Sequence, residues 1–206
     1  FKEALGKLFH NKYWVIVLVV NLLSCIIYGL ASGAGVYYCK WIFGNDNLVA
    51  LAGALGFFAT LVGFVVSKPI IAKLGVRKTI DFGVLGAAFT ALIRCIIPTN
   101  FKVYIAVSVI GSFVQIPLMC LYGVLLAMVI DYNEYTYYNK MVGVSSGAIG
   151  IGTKIGSGVG SVILTACLAL GAYNPDLEVA TTSMRYAIYA FSNYLPLIIN
   201  LGLFVL

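Results

Sequence analysis

Lys154 stands in a stretch otherwise free of charge, GAIGIGTKIGSGVGS, and is the residue best placed to do chemistry. It lies eleven positions after Gly143, where its apolar run begins. That is about 16 Å of helical rise in a hydrocarbon layer about 30 Å thick. An ammonium at that depth cannot snorkel fully and must face a water-filled cavity or pair with an anion. The alternatives are an interhelical salt bridge or a span boundary placed elsewhere. No carboxylate in the sequence falls at matching depth. A partner would therefore be a ligand, water, helix-end carbonyls or another segment of chain.

The glycines around Lys154 do not form a phosphate loop. That motif needs Gly-Lys-Ser/Thr, so that the lysine reaches phosphate and the hydroxyl binds magnesium; here Thr153 precedes Lys154 and Ile155 follows it. Gly152, Gly156 and Gly160 recur every four residues instead, which puts bare backbone on one helix face where a neighbouring helix can pack closely.

A second constellation is DYNEYTYYNK. Asp131 and Glu134, three apart, share a helix face, and Lys140 is within reach across a turn. As a solvated cluster these charges contribute about 0–1 kcal/mol; as a network between helices they could hold a cytoplasmic gate. The neighbouring Tyr132, Tyr135, Tyr137 and Tyr138 suit a membrane-interface belt. A third is the basic loop KPIIAKLGVRK. Gly75 permits a tight turn there, and Lys73, Arg77 and Lys78 can bind helix C-terminal carbonyls or anionic lipid, or simply record topology. Pro117 and Pro196 fall within apolar runs, and each removes a backbone donor and bends its helix. Asn21, Tyr28, Tyr37, Tyr38 and Trp41 punctuate the first run and its outer end; the aromatic faces could stack on sugar rings, and for Tyr37, Tyr38 and Trp41 an interface belt is the expected use. The five cysteines have no metal-ligand spacing, His10 is expected to be solvated, and no Ser/His/Asp or Cys/His arrangement occurs. These features predict neither an enzyme, a metal site nor a cofactor.

The elements that position these residues follow from composition. Of 206 residues, 62% are apolar and 10% charged, against about 25% charged in a soluble domain. Mean hydropathy is +1.01. Too few polar side chains exist to cover a water-soluble surface, which excludes a soluble globular enzyme and a nucleic-acid module; the net charge of +6 reads as membrane topology. Six apolar runs, at residues 13–33, 48–67, 80–97, 103–130, 143–170 and 186–206, have lengths suited to spanning helices, and the alternation of barrel strands is absent. All seven acidic residues lie outside the runs or at their ends. Eight basic residues (Lys2, Lys7, Lys12, Lys68, Lys73, Arg77, Lys78, Lys140) fall on one side and four (Lys40, Arg94, Lys102, Arg185) on the other, which predicts both ends of the segment in the cytoplasm. The first residue is Phe1 and the last run reaches Leu206; both ends are expected to be cut from a longer chain.

These features resemble the C-terminal half of a major-facilitator transporter, and within that superfamily the glycoside–pentoside–hexuronide:cation symporters. The resemblance covers the whole chain. It rests on the entry FKEALGKLFHNKYW, on GAGVYYCKW, on the basic loop AKLGVRK, and most specifically on DYNEY followed by Lys154. The resemblance implies an all-α integral membrane protein with six transmembrane helices, one half of a major-facilitator fold built as a 3+3 inverted repeat. It further implies a cell-membrane transporter that couples sugar uptake to H⁺ or Na⁺ by alternating access. Asp131, Glu134 and Lys140 would take the positions of the cytoplasmic gate network, and Lys154 that of the lysine beside the cavity. The coupling cation and the main sugar contacts would be held by an N-terminal six-helix half, with lipid and a small solute as further partners. Three departures thin the gate: Met128 stands where a family member carries another Asp, Lys140 replaces an Arg, and Val142 replaces a Glu. A non-transporting six-span scaffold or receptor subunit, a channel, and a superfamily transporter of lipid or another solute are the competing readings.

Overall fold

The computed structural model describes residues 6, 8–138, 141–177 and 179–205. Among these there is no strand. Five helical stretches are long and apolar enough, by length and composition, to cross a membrane.

Helix α1, Lys12–Trp41, starts where Asn11 caps it: the Asn11 side-chain oxygen accepts from the Tyr13 and Trp14 backbone N–H groups at 3.0 and 3.4 Å, satisfying donors that no helical carbonyl can reach. It runs eight residues past the predicted boundary at Gly33 because those turns have their own core. Tyr38 is 1% and Trp41 5% exposed. The expected interface belt is therefore wrong for these two. The Tyr38 ring stacks on Tyr104 with centroids 4.8 Å apart, its hydroxyl donates to Pro98 O at 2.8 Å, and Trp41 meets Tyr173 edge-on.

Helix α2, Leu48–Ile96, is one 49-residue helical run interrupted at Gly75, which has φ 76° and ψ 172°. Unbroken, it would be about 74 Å long, more than twice a hydrocarbon core. The packing shows that it folds back. A side-chain carbon on Gly63, before the break, would lie 3.0 Å from Ile116; one on Gly83, after it, would lie 2.9 Å from Leu118. Gly86 meets Val114 in the same way. Gly63 and Gly86 would be about 34 Å apart in a straight helix, yet both rest on residues 114–118. The two arms thus lie side by side on one neighbour. The basic segment expected to be a loop is helical on both sides of Gly75, which alone departs from helical angles within it.

That neighbour is α3, Phe101–Tyr137, capped by Asn100 and carrying buried Pro117. Its last two turns contain DYNEY, expected to lie between helices. Tyr138 and Met141, at φ 52° and 43°, reverse the chain into α4, Val142–Leu170. The last stretch begins at Thr182, earlier than its apolar run, because the Thr181 hydroxyl accepts from Met184 N. It consists of α5, Thr182–Tyr189, a π-helical turn, Ala190–Tyr194, and α6, Leu195–Val205. Pro196 explains the turn: it has no N–H for the Ser192 carbonyl, and the helix widens just before it, so that Leu195 N–H bonds Ala190 O.

Candidate functional site

Helix α4 carries three different faces. Ser145, Gly152, Gly156, Gly160, Leu164 and Leu168 form the buried one. A side-chain carbon on Gly156 would lie 2.7 Å from Leu22 O and 2.8 Å from Cys25 Cβ, and one on Gly160 would lie 2.9 Å from the Gly29 Cα and overlap Ile26 O. A carbon on Gly29 would in turn overlap Ser157 O. Backbone meets backbone here, and the glycines leave room for nothing else. Gly29 is the partner glycine; with Gly33 it repeats at four-residue spacing, a signal that the sequence carried and that went unread.

Ile151, Ile155, Val159 and Val162 make an exposed apolar face, suited to lipid. The third face is exposed and polar. Lys154 is two residues from Gly152, about 200° around the helix, so it points away from α1. Along the same line lie Gly147, Gly150, Gly158, Ser161 and Thr165, all exposed, and a side-chain carbon on any of these three glycines would meet nothing within 4 Å. The hydroxyls of Ser157, Ser161 and Thr165 donate to carbonyls of their own helix, and the Thr153 hydroxyl lies 3.0 Å from Asn21 Oδ1. Lys154 therefore stands on a face of small polar residues that no other described residue covers. Such a face fits water, a solute or further protein, and a cation there avoids the cost of facing hydrocarbon.

At the end of the bundle near Asn11, Asp131 and Glu134 are exposed on the final turns of α3. Lys140 lies outside the described residues. The buried member of this motif is Asn133, fully enclosed; its Oδ1 accepts from Asn11 Nδ2 at 2.6 Å. Since Asn11 also caps α1, one side chain joins the start of α1 to the end of α3. The signal was present: Asn133 follows Val129 by four and Ile130 by three, and so shares their buried face. Lys73, Arg77 and Lys78 are exposed around Gly75.

A polar cavity of about 290 Å³ lies among α1, both arms of α2, α3 and the π turn, with Thr90, Arg94, Ser108, Ser112, Gln115 and Ser192 among its lining. Arg94 Nη2 donates to Ser108 Oγ at 2.5 Å, and its guanidinium carbon is 4.9 Å from the Tyr104 ring centroid, a favourable cation–π distance. Asn193 Nδ2 donates to the Tyr38 hydroxyl at 3.2 Å and to Arg94 O at 3.4 Å. Two buried atoms of the lining, Arg94 Nε and Ser192 Oγ, have no hydrogen-bond partner among the described residues, and neither has Asn193 Oδ1 behind it. Each such group costs about 1–3 kcal/mol. Arg94 had counted only as a topological charge. Its spacing from Ala87, Thr90 and Ala91 puts it on one helix face with them, which was a usable signal. Asn193 gave none, because the π turn that aims it is not written in hydrophobic periodicity. A second cavity of about 510 Å³, lined by Val17, Val84, Leu118 and Leu125 with Tyr13 and Tyr132, is apolar.

All of the chain, residues 1–206, matches the family described as MFS/sugar transport protein. Among curated proteins it is similar to the inner membrane symporter YicJ of Escherichia coli, with 21% identity over 96% of this chain and 43% of that protein. It is also similar to the isoprimeverose transporter of Lactiplantibacillus pentosus, with 28% identity over 84% of this chain and 36% of that one. The chain thus spans less than half the length of these relatives.

Proposed function

Because the chain belongs to the MFS/sugar transport family, we propose that it is the C-terminal six-helix half of a secondary active transporter that carries a sugar or glycoside together with H⁺ or Na⁺. It is a multi-pass membrane protein, and its relatives are symporters and transporters, not enzymes. On this reading the two arms of α2 are separate crossings joined at Gly75. With α1 they form one triplet; α3, α4 and the α5–α6 stretch form the second, inverted one. Both ends of the segment face the cytoplasm.

The observation that carries the reading is the uncovered polar face of α4 opposite its glycine face. An N-terminal half would meet that face across a solute path near the bilayer midplane, where the sites of such transporters lie. Lys154 would act there by charge and hydrogen bonding, with the coupling cation held mainly by the other half. Asp131, Glu134 and Lys140 would close the cytoplasmic side as the two halves rock. The isoprimeverose transporter supports a glycoside as the solute, and YicJ supports symport.

The test uses the full-length transporter in sealed vesicles. Lys154→Ala is expected to abolish sugar accumulation against a gradient while membrane insertion stays at the wild-type level. Accumulation equal to wild type would remove Lys154 from the path. Exchanging Glu134 and Lys140 together is expected to be tolerated better than either single change; equal damage in all three variants would argue against a paired gate.

A further inference from the structure

We propose that the polar cavity around Arg94 is a binding site for a small hydroxylated carboxylate, distinct from the Lys154 face of α4. The cavity is built from α1, both arms of α2, α3 and the π turn; α4 contributes nothing to its lining. Arg94 is its only charged lining residue. No ion pair to Arg94 occurs among the described residues, whose contacts to its guanidinium are the Ser108 hydroxyl and the Tyr104 ring. Arg94 stands half-buried in the last turn of α2, and its enclosed Nε has no partner among the described residues, so an anion in the cavity would complete its hydrogen bonding. The planar donors of the guanidinium match a carboxylate better than a point ion.

The rest of the lining specifies more than charge. Ser112 and Gln115 have no hydrogen-bond partner among the described residues. Buried Ser192 Oγ likewise has none. The π turn places Ser192 here at the cost of regular helix, and such turns recur at functional sites. Hydroxyls and amides of this kind pair with a ligand that both donates and accepts. A volume of about 290 Å³ sits at the small end of ligand pockets. Charge selects an anion, the amides and hydroxyls select a hydroxylated one, and size limits it to a few carbons.

Calorimetric titration of the full-length transporter in chloride-free detergent solution tests this with three probes: gluconate, glucose and chloride. Gluconate is expected to bind, with glucose and chloride at least tenfold weaker. Arg94→Gln is expected to weaken gluconate at least tenfold. The Ser112→Ala, Gln115→Leu double variant keeps the charge and is expected to weaken gluconate without changing chloride. Lys154→Ala is expected to bind gluconate as wild type does. The proposal fails if wild type does not bind gluconate, if glucose or chloride binds as tightly, or if Arg94→Gln leaves gluconate unchanged. It also fails if Lys154→Ala, rather than Arg94→Gln, abolishes binding, since the anion would then sit on α4. Should Arg94→Gln not fold, unchanged gluconate binding in the double variant overturns the proposal.

Discussion

A methyl group on Gly160 would overlap the Ile26 carbonyl and stand 2.9 Å from the Gly29 Cα, so α1 and α4 must separate to admit it. We expect Gly160→Ala to lose about 1–3 kcal/mol, read as a lower thermal midpoint of the full-length protein in detergent. Gly150→Ala is the matched control: its added carbon meets nothing within 4 Å, and helix propensity then favours alanine by about 0.5–1 kcal/mol, so its midpoint should hold or rise. The opposite response of two glycines nearly three turns apart on one helix would separate packing from propensity. At the Asn11 end, the bond from Asn11 to Asn133 is buried and 2.6 Å long. A double-mutant cycle with Asn11→Ser, which retains a capping oxygen, and Asn133→Ala should give a coupling of about 1 kcal/mol. Additive losses would mean that the two asparagines stabilise the bundle separately.

At the scale of elements, Gly75 decides whether α2 is a rod or a hairpin. Its φ of 76° with ψ of 172° lies in a region essentially restricted to glycine. Gly75→Ala should therefore cost about 1–3 kcal/mol, with a matching fall in the yield of folded protein; an unchanged yield would show that packing on α3 holds the arms without the turn. Pro196→Ala restores a donor for the Ser192 carbonyl. The turn should then close to an ordinary helix, with Leu195 N–H bonded to Phe191 O in place of Ala190 O, and a structure of the variant reads this directly. These two elements also mark how far the sequence could be read. Apolar run length located the helical stretches, since hydrocarbon thickness imposes it, but it drew two runs and a loop where α2 is one 49-residue stretch. It could not set the ends of α1 or α3, because their final turns bury Tyr38, Trp41 and Asn133 against neighbours that no local pattern names. The glycine face of α4 was legible as a four-residue period, and Gly29 with Gly33 carries the same period on its partner. Asn193 meets the Arg94 backbone carbonyl across 99 positions, and only the folded chain brings that pair together.

For the molecule as a whole, the glycine face of α4 is closed on α1 while the polar face opposite is open. Within the bundle, α3 packs on an α2 hairpin adjacent in the chain, but α4 packs on α1, joined for instance by Thr153 to Asn21 across 132 positions. Synthesis at about 5–20 residues per second leaves α1 waiting on the order of ten seconds before α4 emerges. During that time its Gly29 groove is bare to lipid or to any small-faced helix nearby. The order of manufacture thus makes the tightest joint of the finished bundle a late one to close, and leaves it open meanwhile to capture by the wrong partner.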